Sequence, residues 1–181
     1  MTIAEFNKKI EERKRVIEEN IPLGIAVADT HALMVQRIFV NGLNSSDSKI
    51  GSYATSPPLY VNTTLNAPIK KAPKGKYGET KFTDGRPHKT TYFESYKKFR
   101  QEESRESSFV NLRLFGNLEN DFKTGLKRIN NDSWVAVVRK DESADKIRGA
   151  ESKYGKVFFF TKDERKHFKD VLLFEMQKLL T

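Results

Sequence analysis

Hydrophobic and polar positions change their period several times along this chain. Residues 2–20 carry Ile3, Phe6, Ile10 and Ile17 among dense Glu and Lys. That pattern predicts a helix whose apolar face is thin and reaches a neighbour. Pro22 interrupts it, either as a kink or as the first turn of a second helix. From Leu23 to Val40 the apolar residues crowd together: Ile25, Val27, Ala28, Ala32, Leu33, Val35, Ile38 and Phe39. This second helix is expected to pack, with Gly42 as its stop.

The stretch Thr91–Phe122 organises the remainder. Thr91 and Glu94 have capping-box spacing ahead of a helix over 92–103, with Phe93, Tyr96 and Phe99 or Arg100 on one face. From Val110 the period becomes two: Val110, Leu112 and Leu114 point one way, Asn111, Arg113 and Phe115 the other. Gly116-Asn117 closes that strand. A second strand is expected over Phe122–Ile129, a turn at 130–133, and a third strand at Trp134–Val138. Asp141–Tyr154 reads as a polar helix stopped by Gly155, and Val157–Phe160 as a fourth strand. Thr161 and Glu164 form another capping box, opening a final helix over 163–180 with Phe168, Val171, Leu172, Met176 and Leu179 as its apolar face. The order implies an α+β fold: a mostly antiparallel sheet of about four strands, covered by N-terminal and C-terminal helices.

Residues 43–90 hold no long periodic element. Pro57-Pro58, Pro68, Pro73, Gly75, Gly78, Gly85 and Pro87 punctuate them, yet Tyr53, Leu59, Tyr60, Val61, Leu65, Ile69, Tyr77 and Phe82 are interspersed. A plain linker needs no such aromatics, so the segment is expected to be an extended interaction arm that orders against something else. The chain then divides into N-terminal helices (1–42), the arm (43–90) and an α+β core (91–181) within a single domain of 181 residues.

Charge sharpens that picture. The chain carries 33 Lys and Arg against 24 Asp and Glu, a formal +9. The arm alone holds eight basic and three acidic residues, or +5 of that total. A positive balance favours anionic partners: nucleic acid, a membrane surface or an acidic protein face. Only 37% of residues are hydrophobic and 31% are charged, with mean hydropathy −0.65, so the expected core is modest. There is no cysteine, which removes disulfides, zinc-thiolate sites and thiol catalysis. The N-terminus lacks the apolar centre of a signal peptide, and no run approaches the roughly 18 apolar residues of a membrane helix. The protein is expected to be made in a cytoplasm and to stay soluble.

Catalytic patterns are missing from the sequence. His31, His88 and His167 have no partner at ligand spacing. Gly75-Lys76-Tyr77-Gly78 lacks Walker spacing and reads as turn glycines. Glu102-Glu103 and Glu119 with Asp121 read as solvated faces rather than paired catalytic carboxylates. No nucleophile, base and oxyanion donor assemble, so no enzyme activity, metal or cofactor is expected. Basic residues alternating with aromatics, as in Tyr92–Arg100, also suit a nucleic-acid-binding module.

One further signal is the order of short motifs. These are Ile50-Gly51-Ser52-Tyr53-Ala54-Thr55, Pro58-Leu59-Tyr60-Val61-Asn62, the segment from Gly75 to Phe82, and Gly85-Arg86-Pro87-His88-Lys89-Thr90. They continue with Tyr96-Lys97-Lys98-Phe99-Arg100, Arg105-Glu106-Ser107, Val110 to Leu118, and a closing aromatic strand and helix over Gly155 to Leu180. This order, spanning about Ala28–Leu180, resembles the neck or tail-completion proteins of tailed bacteriophages, closest to those of crAss-like phages. Phe115-Gly116 stands where that family often has Thr-Gly, and Ser104 where it has Gly before Arg. The resemblance implies a non-catalytic virion protein, a ring of six or twelve copies joining the portal side of the capsid to the tail. Its partners would be copies of itself, the portal, and adjacent connector or tail proteins, with non-specific contact to channel DNA and none to membrane. The interaction residues expected on this basis are Tyr53, Leu59, Tyr60, Lys76, Tyr77, Phe82 and Arg86 in the arm, and Tyr96, Phe99, Arg100 and Arg105 beside it. A basic nucleic-acid-binding module stands as the alternative.

Overall fold

The computed structural model describes residues 2–62, 77–81, 87–113 and 116–179. The fold is α+β, with, among the described residues, six α-helices and five short strands in two antiparallel sheets. The chain divides into two compact units, one of Met1–Lys49 with Asn111–Thr181 and one of Ile50–Val110.

In the first unit, α1 (Ile3–Glu18) opens on a capping box between Thr2 and Glu5. Asn20, left-handed at φ 50°, turns the chain into α2 (Ile21–Val35), with Pro22 in the first turn, where its missing N–H costs nothing. α2 buries Ala26, Thr30, His31, Met34 and Val35, and runs on as a π-helical turn, Gln36–Asn41, that ends at Gly42 with φ 63°. Contrary to the expectation that no run approaches membrane-helix length, Ile21–Asn41 is by length and composition alone long and apolar enough to cross a membrane, as core helices often are; here α6 (Lys162–Gln177), α4 (Asn117–Lys123) and β4 (Leu126–Asn130) pack against it. Phe39 meets Phe122 at 6.0 Å and Phe158 at 6.2 Å between ring centres, and Phe122 meets Phe158 edge-on at 5.3 Å. Phe39 and Phe122, the two buried rings, each contribute on the order of 2 kcal/mol, and the half-buried Phe158 less. β4 pairs with β5 (Ser133–Ala136), and α5 (Asp141–Tyr154) stops at Gly155, φ 74°. The turn between the strands is tied back to the end of α1: Asn131 donates to the carbonyl of Glu18 at 2.8 Å, Arg128 to that of Glu19, and Asn20 to Asp132 at 3.0 Å.

The second unit is a three-stranded sheet in the order β1 (Leu59–Asn62), β3 (Pro87–Phe93), β2 (Tyr77–Lys81), followed by α3 (Tyr96–Glu102). Leu59 pairs with Phe93, Tyr60 with Tyr92, and Tyr77 with Thr91. Ile50, Tyr53, Phe93, Phe99 and Val110 are buried. The Val110 N–H donates to the carbonyl of Gly51 at 2.9 Å, and the Lys97 N–H to that of Ala54 at 3.0 Å.

Several expectations are corrected. The strands form two separate sheets rather than one of about four. Residues 43–90, read as lacking regular structure, supply β1, β2 and the start of β3. Thr91 lies in β3, so the helix starts later: Ser95 is its cap and accepts from the Lys98 N–H at 3.1 Å. Val110–Arg113 is not a strand. The Asn111 side chain accepts from the Arg113 N–H, and Leu112 sits at φ 52°, which breaks the extended run. Gly116, φ 80°, begins α4 rather than closing a strand, because Leu118 and Phe122, one turn apart, bury together, and the strand expected from Phe122 therefore starts only at Leu126. Val157–Phe160 also forms no ladder. Glu151 accepts from the N–H groups of Val157 and Phe158 at 2.9 and 2.7 Å, and Arg37 donates to the carbonyls of Val157 and Phe159 at 3.3 and 2.8 Å. Side chains have taken the bonds a neighbouring strand would make.

Candidate functional site

Four of the residues singled out from sequence meet in the second unit. Tyr53 and Tyr96 have ring centres 5.4 Å apart, Tyr96 and Phe99 5.9 Å, and Phe93 and Phe99 5.0 Å. The Arg100 guanidinium lies 4.1 Å from the centre of the Tyr53 ring and donates from Nε to the carbonyl of Glu106 at 2.6 Å. Tyr53, Phe99 and Arg100 are buried, with Arg100 only 1% exposed. A cation stacked on an aromatic face and hydrogen-bonded away from water holds the unit together. Tyr96 and Arg105 are half-buried, and the Arg105 N–H continues the helix end by donating to the carbonyl of Arg100 at 2.8 Å. Leu59 is half-buried at the head of β1; Tyr60 and Tyr77 occupy β1 and β2. Lys76, Phe82 and Arg86 lie outside the described residues.

The carboxylates weighed as a catalytic pair serve structure. Glu119, 4% exposed, is held by Arg113 at 2.7 Å and Lys123 at 3.1 Å. Asp121 accepts from the backbone N–H groups of Arg139 and Lys140, both at 3.1 Å, just ahead of α5. Burial pushes its carboxyl up, but bonds from the Ser143 hydroxyl and those two amides outweigh burial and hold it below its ordinary value. His31 is buried against Phe122, ring centres 4.9 Å apart, and its Nε2 has no hydrogen-bond partner among the described residues. Burial lowers its pKa. His167 pairs with Asp29 at 2.6 Å on the surface. Among the described residues no three His, Asp or Glu side chains cluster as metal ligands.

The first unit also leaves several large apolar side chains uncovered. No residue of α1 is buried; Ile3 is 82% exposed, Ile17 63%, Phe6 48% and Ile10 46%. Ile10, Ile17, Arg13, Lys14 and Glu18 line a shallow groove along this helix. Leu173, Phe174 and Met176 near the end of α6 are also more than half exposed. Sequence reasoning placed Met176 on a packed face and left Leu173 and Phe174 unremarked. The signal was present as two adjacent apolar residues that one helical face cannot bury together. An exposed stripe and an exposed cluster of this kind suit contact with another macromolecule.

Compared with known protein families, with curated proteins and with solved structures, the chain matches none.

Proposed function

We propose that this chain is a structural subunit of a tailed-phage connector, a neck or tail-completion ring that joins the portal side of the capsid to the tail. The observation that carries this reading is the uncovered apolar surface of the first unit, on α1 and at the end of α6. A subunit that closes a ring makes head-to-tail contacts with two copies of itself and further contacts with the rings above and below. Such a subunit leaves apolar side chains to be covered on assembly. In the second unit, β1 and β2 each pair only with β3 among the described residues, so their outer edges suit strand addition from a neighbour. On this reading the basic segment 43–90 lies across the adjacent subunit, and its charge faces an acidic protein partner more than the passing DNA. The role is structural and needs no catalysis or cofactor.

The experiment is a pair of substitutions, Leu173→Glu with Phe174→Glu, read by size-exclusion chromatography and circular dichroism. Both side chains face solvent, so helix content should stay within error of the parent. Rings formed by the parent chain should be lost. Unchanged rings in the variant would remove α6 from the contact, and a parent chain that forms no ring with or without the portal would overturn the proposal.

A further inference from the structure

The stripe on α1 carries more information than exposure alone. Ile3, Ile10 and Ile17 recur every seven residues, with Phe6, Arg13 and Asn20 at the intervening positions, so the seam follows a coiled-coil repeat over nearly three heptads. The helix is also formed in advance. Its capping box closes the first turn, Lys8 and Glu12 lie one turn apart at 4.0 Å, and its last carbonyls are bonded by Asn131 and Arg128. A preformed helix spares a partner the entropy of ordering it.

Charge then narrows the partner. Arg13 sits within the seam and Lys9 and Lys14 flank it, while Glu5, Glu12 and Glu19 lie on the far side of the helix and Glu18 lines the groove at its C-terminal end. Among the described residues, Lys9, Arg13 and Lys14 make no ion pair. A parallel pairing of two copies through this stripe would set Lys9 of one helix against Lys14 of the other and place the two Arg13 side chains together. An antiparallel pairing would press each Arg13 into the seam against Ile10 of the other copy, with no carboxylate to meet it. The stripe is therefore built against self-pairing. A membrane surface is the poorer fit as well, since the five Lys and Arg of α1 are balanced by five Glu through Glu19 and the helix carries no net positive charge.

We infer that α1 is a docking helix for an acidic amphipathic helix of a different protein, one that lays an apolar seam along Ile3, Phe6, Ile10 and Ile17 and presents carboxylates to Lys9, Arg13 and Lys14. This inference stands on α1 alone and does not depend on the ring.

The test uses the full chain and two synthetic three-heptad peptides with identical leucine seams, one flanked by Glu with a Glu facing Arg13, the other flanked by Lys throughout. Binding is followed by fluorescence anisotropy in about 0.15 M salt. The acidic peptide should bind at least about tenfold more tightly than the basic one, from three rim and seam pairs acting together. Ile10→Asp should abolish binding, and Arg13→Glu should reverse the preference, with circular dichroism of both variants unchanged because α1 buries no side chain. Equal binding of the two peptides, or binding of neither, would overturn the inference. So would a concentration-dependent dimer that Ile10→Asp dissolves, which would make a second copy the occupant. Sedimentation with 3:1 phosphatidylcholine–phosphatidylserine vesicles in the absence of peptide binding would overturn it in favour of a lipid surface.

Discussion

Arg37 shows how one side chain organises the first unit. It leaves the second position after α2, reaches the Glu164 carboxylate from Nε at 2.7 Å, and donates from its remaining nitrogens to the carbonyls of Leu43, Val157 and Phe159. Glu164 in turn accepts from the Thr161 N–H at 2.8 Å, so the start of α6 and the segment before it hang on the same ion pair. Both partners are under a tenth exposed. Arg37→Ala strands a buried carboxylate and three carbonyls, and should cost about 3–5 kcal/mol in urea unfolding; a loss below about 1 kcal/mol would show that water or a rearranged chain replaces the guanidinium. His31 sets a pH dependence. Its folded pKa lies below the ordinary 6.5, so the unfolded chain binds the proton more readily. Its contribution is intact above pH 6.5 and is lost as pH falls toward the lowered folded value. Unfolding midpoints measured through that window should drop in the parent chain and drop less in His31→Phe. Equal slopes would place the proton elsewhere.

At the scale of elements, close approach and local signals divide the work. A Cβ at Gly125 would lie 1.8 Å from the carbonyl oxygen of Val137, whose N–H donates to the Gly125 carbonyl at 3.0 Å. Gly125→Ala must spread the base of the β4–β5 hairpin and should cost about 1–3 kcal/mol. The single tryptophan, Trp134 in β5, would report it, because its ring packs on Gly24 of α2 where an added Cβ would meet it at 3.0 Å. An unchanged fluorescence spectrum and melting curve would refute that packing. The same division explains what could be read from residues alone. The helix over Asp141–Tyr154, its stop at Gly155 and the Thr161–Glu164 box rest on groups within a few positions of one another, and they stand as expected. Val157–Phe160 and Val110–Arg113 alternate like strands, but alternation supplies no neighbouring strand. Glu151 and Arg37, remote in sequence or from another element, take the backbone bonds at the former. At Thr91 a capping signal lost to strand pairing with Tyr77 and Val61. Among the site residues, Tyr96, Phe99 and Arg100 were legible as near neighbours along one helix, whereas Tyr53 was assigned to the arm and its meeting with them was not. Their burial was not, since it depends on Ile50–Ala54 folding beside α3.

At the scale of the whole molecule, the formal charge of +9 is spread over both compact units, and the apolar side chains left in water belong mainly to helices of the first. A protein with that surface is expected to gain stability when its partners cover it. The most direct measurement is the mass of the purified chain, alone and mixed with the portal protein that the connector reading requires, by light scattering in about 0.15 M salt. The connector reading predicts a ring, or a monomer that joins a portal-sized complex. A stable monomer that ignores the portal, yet shifts on duplex DNA with an affinity falling steeply as salt rises, would contradict it and establish a nucleic-acid-binding module instead.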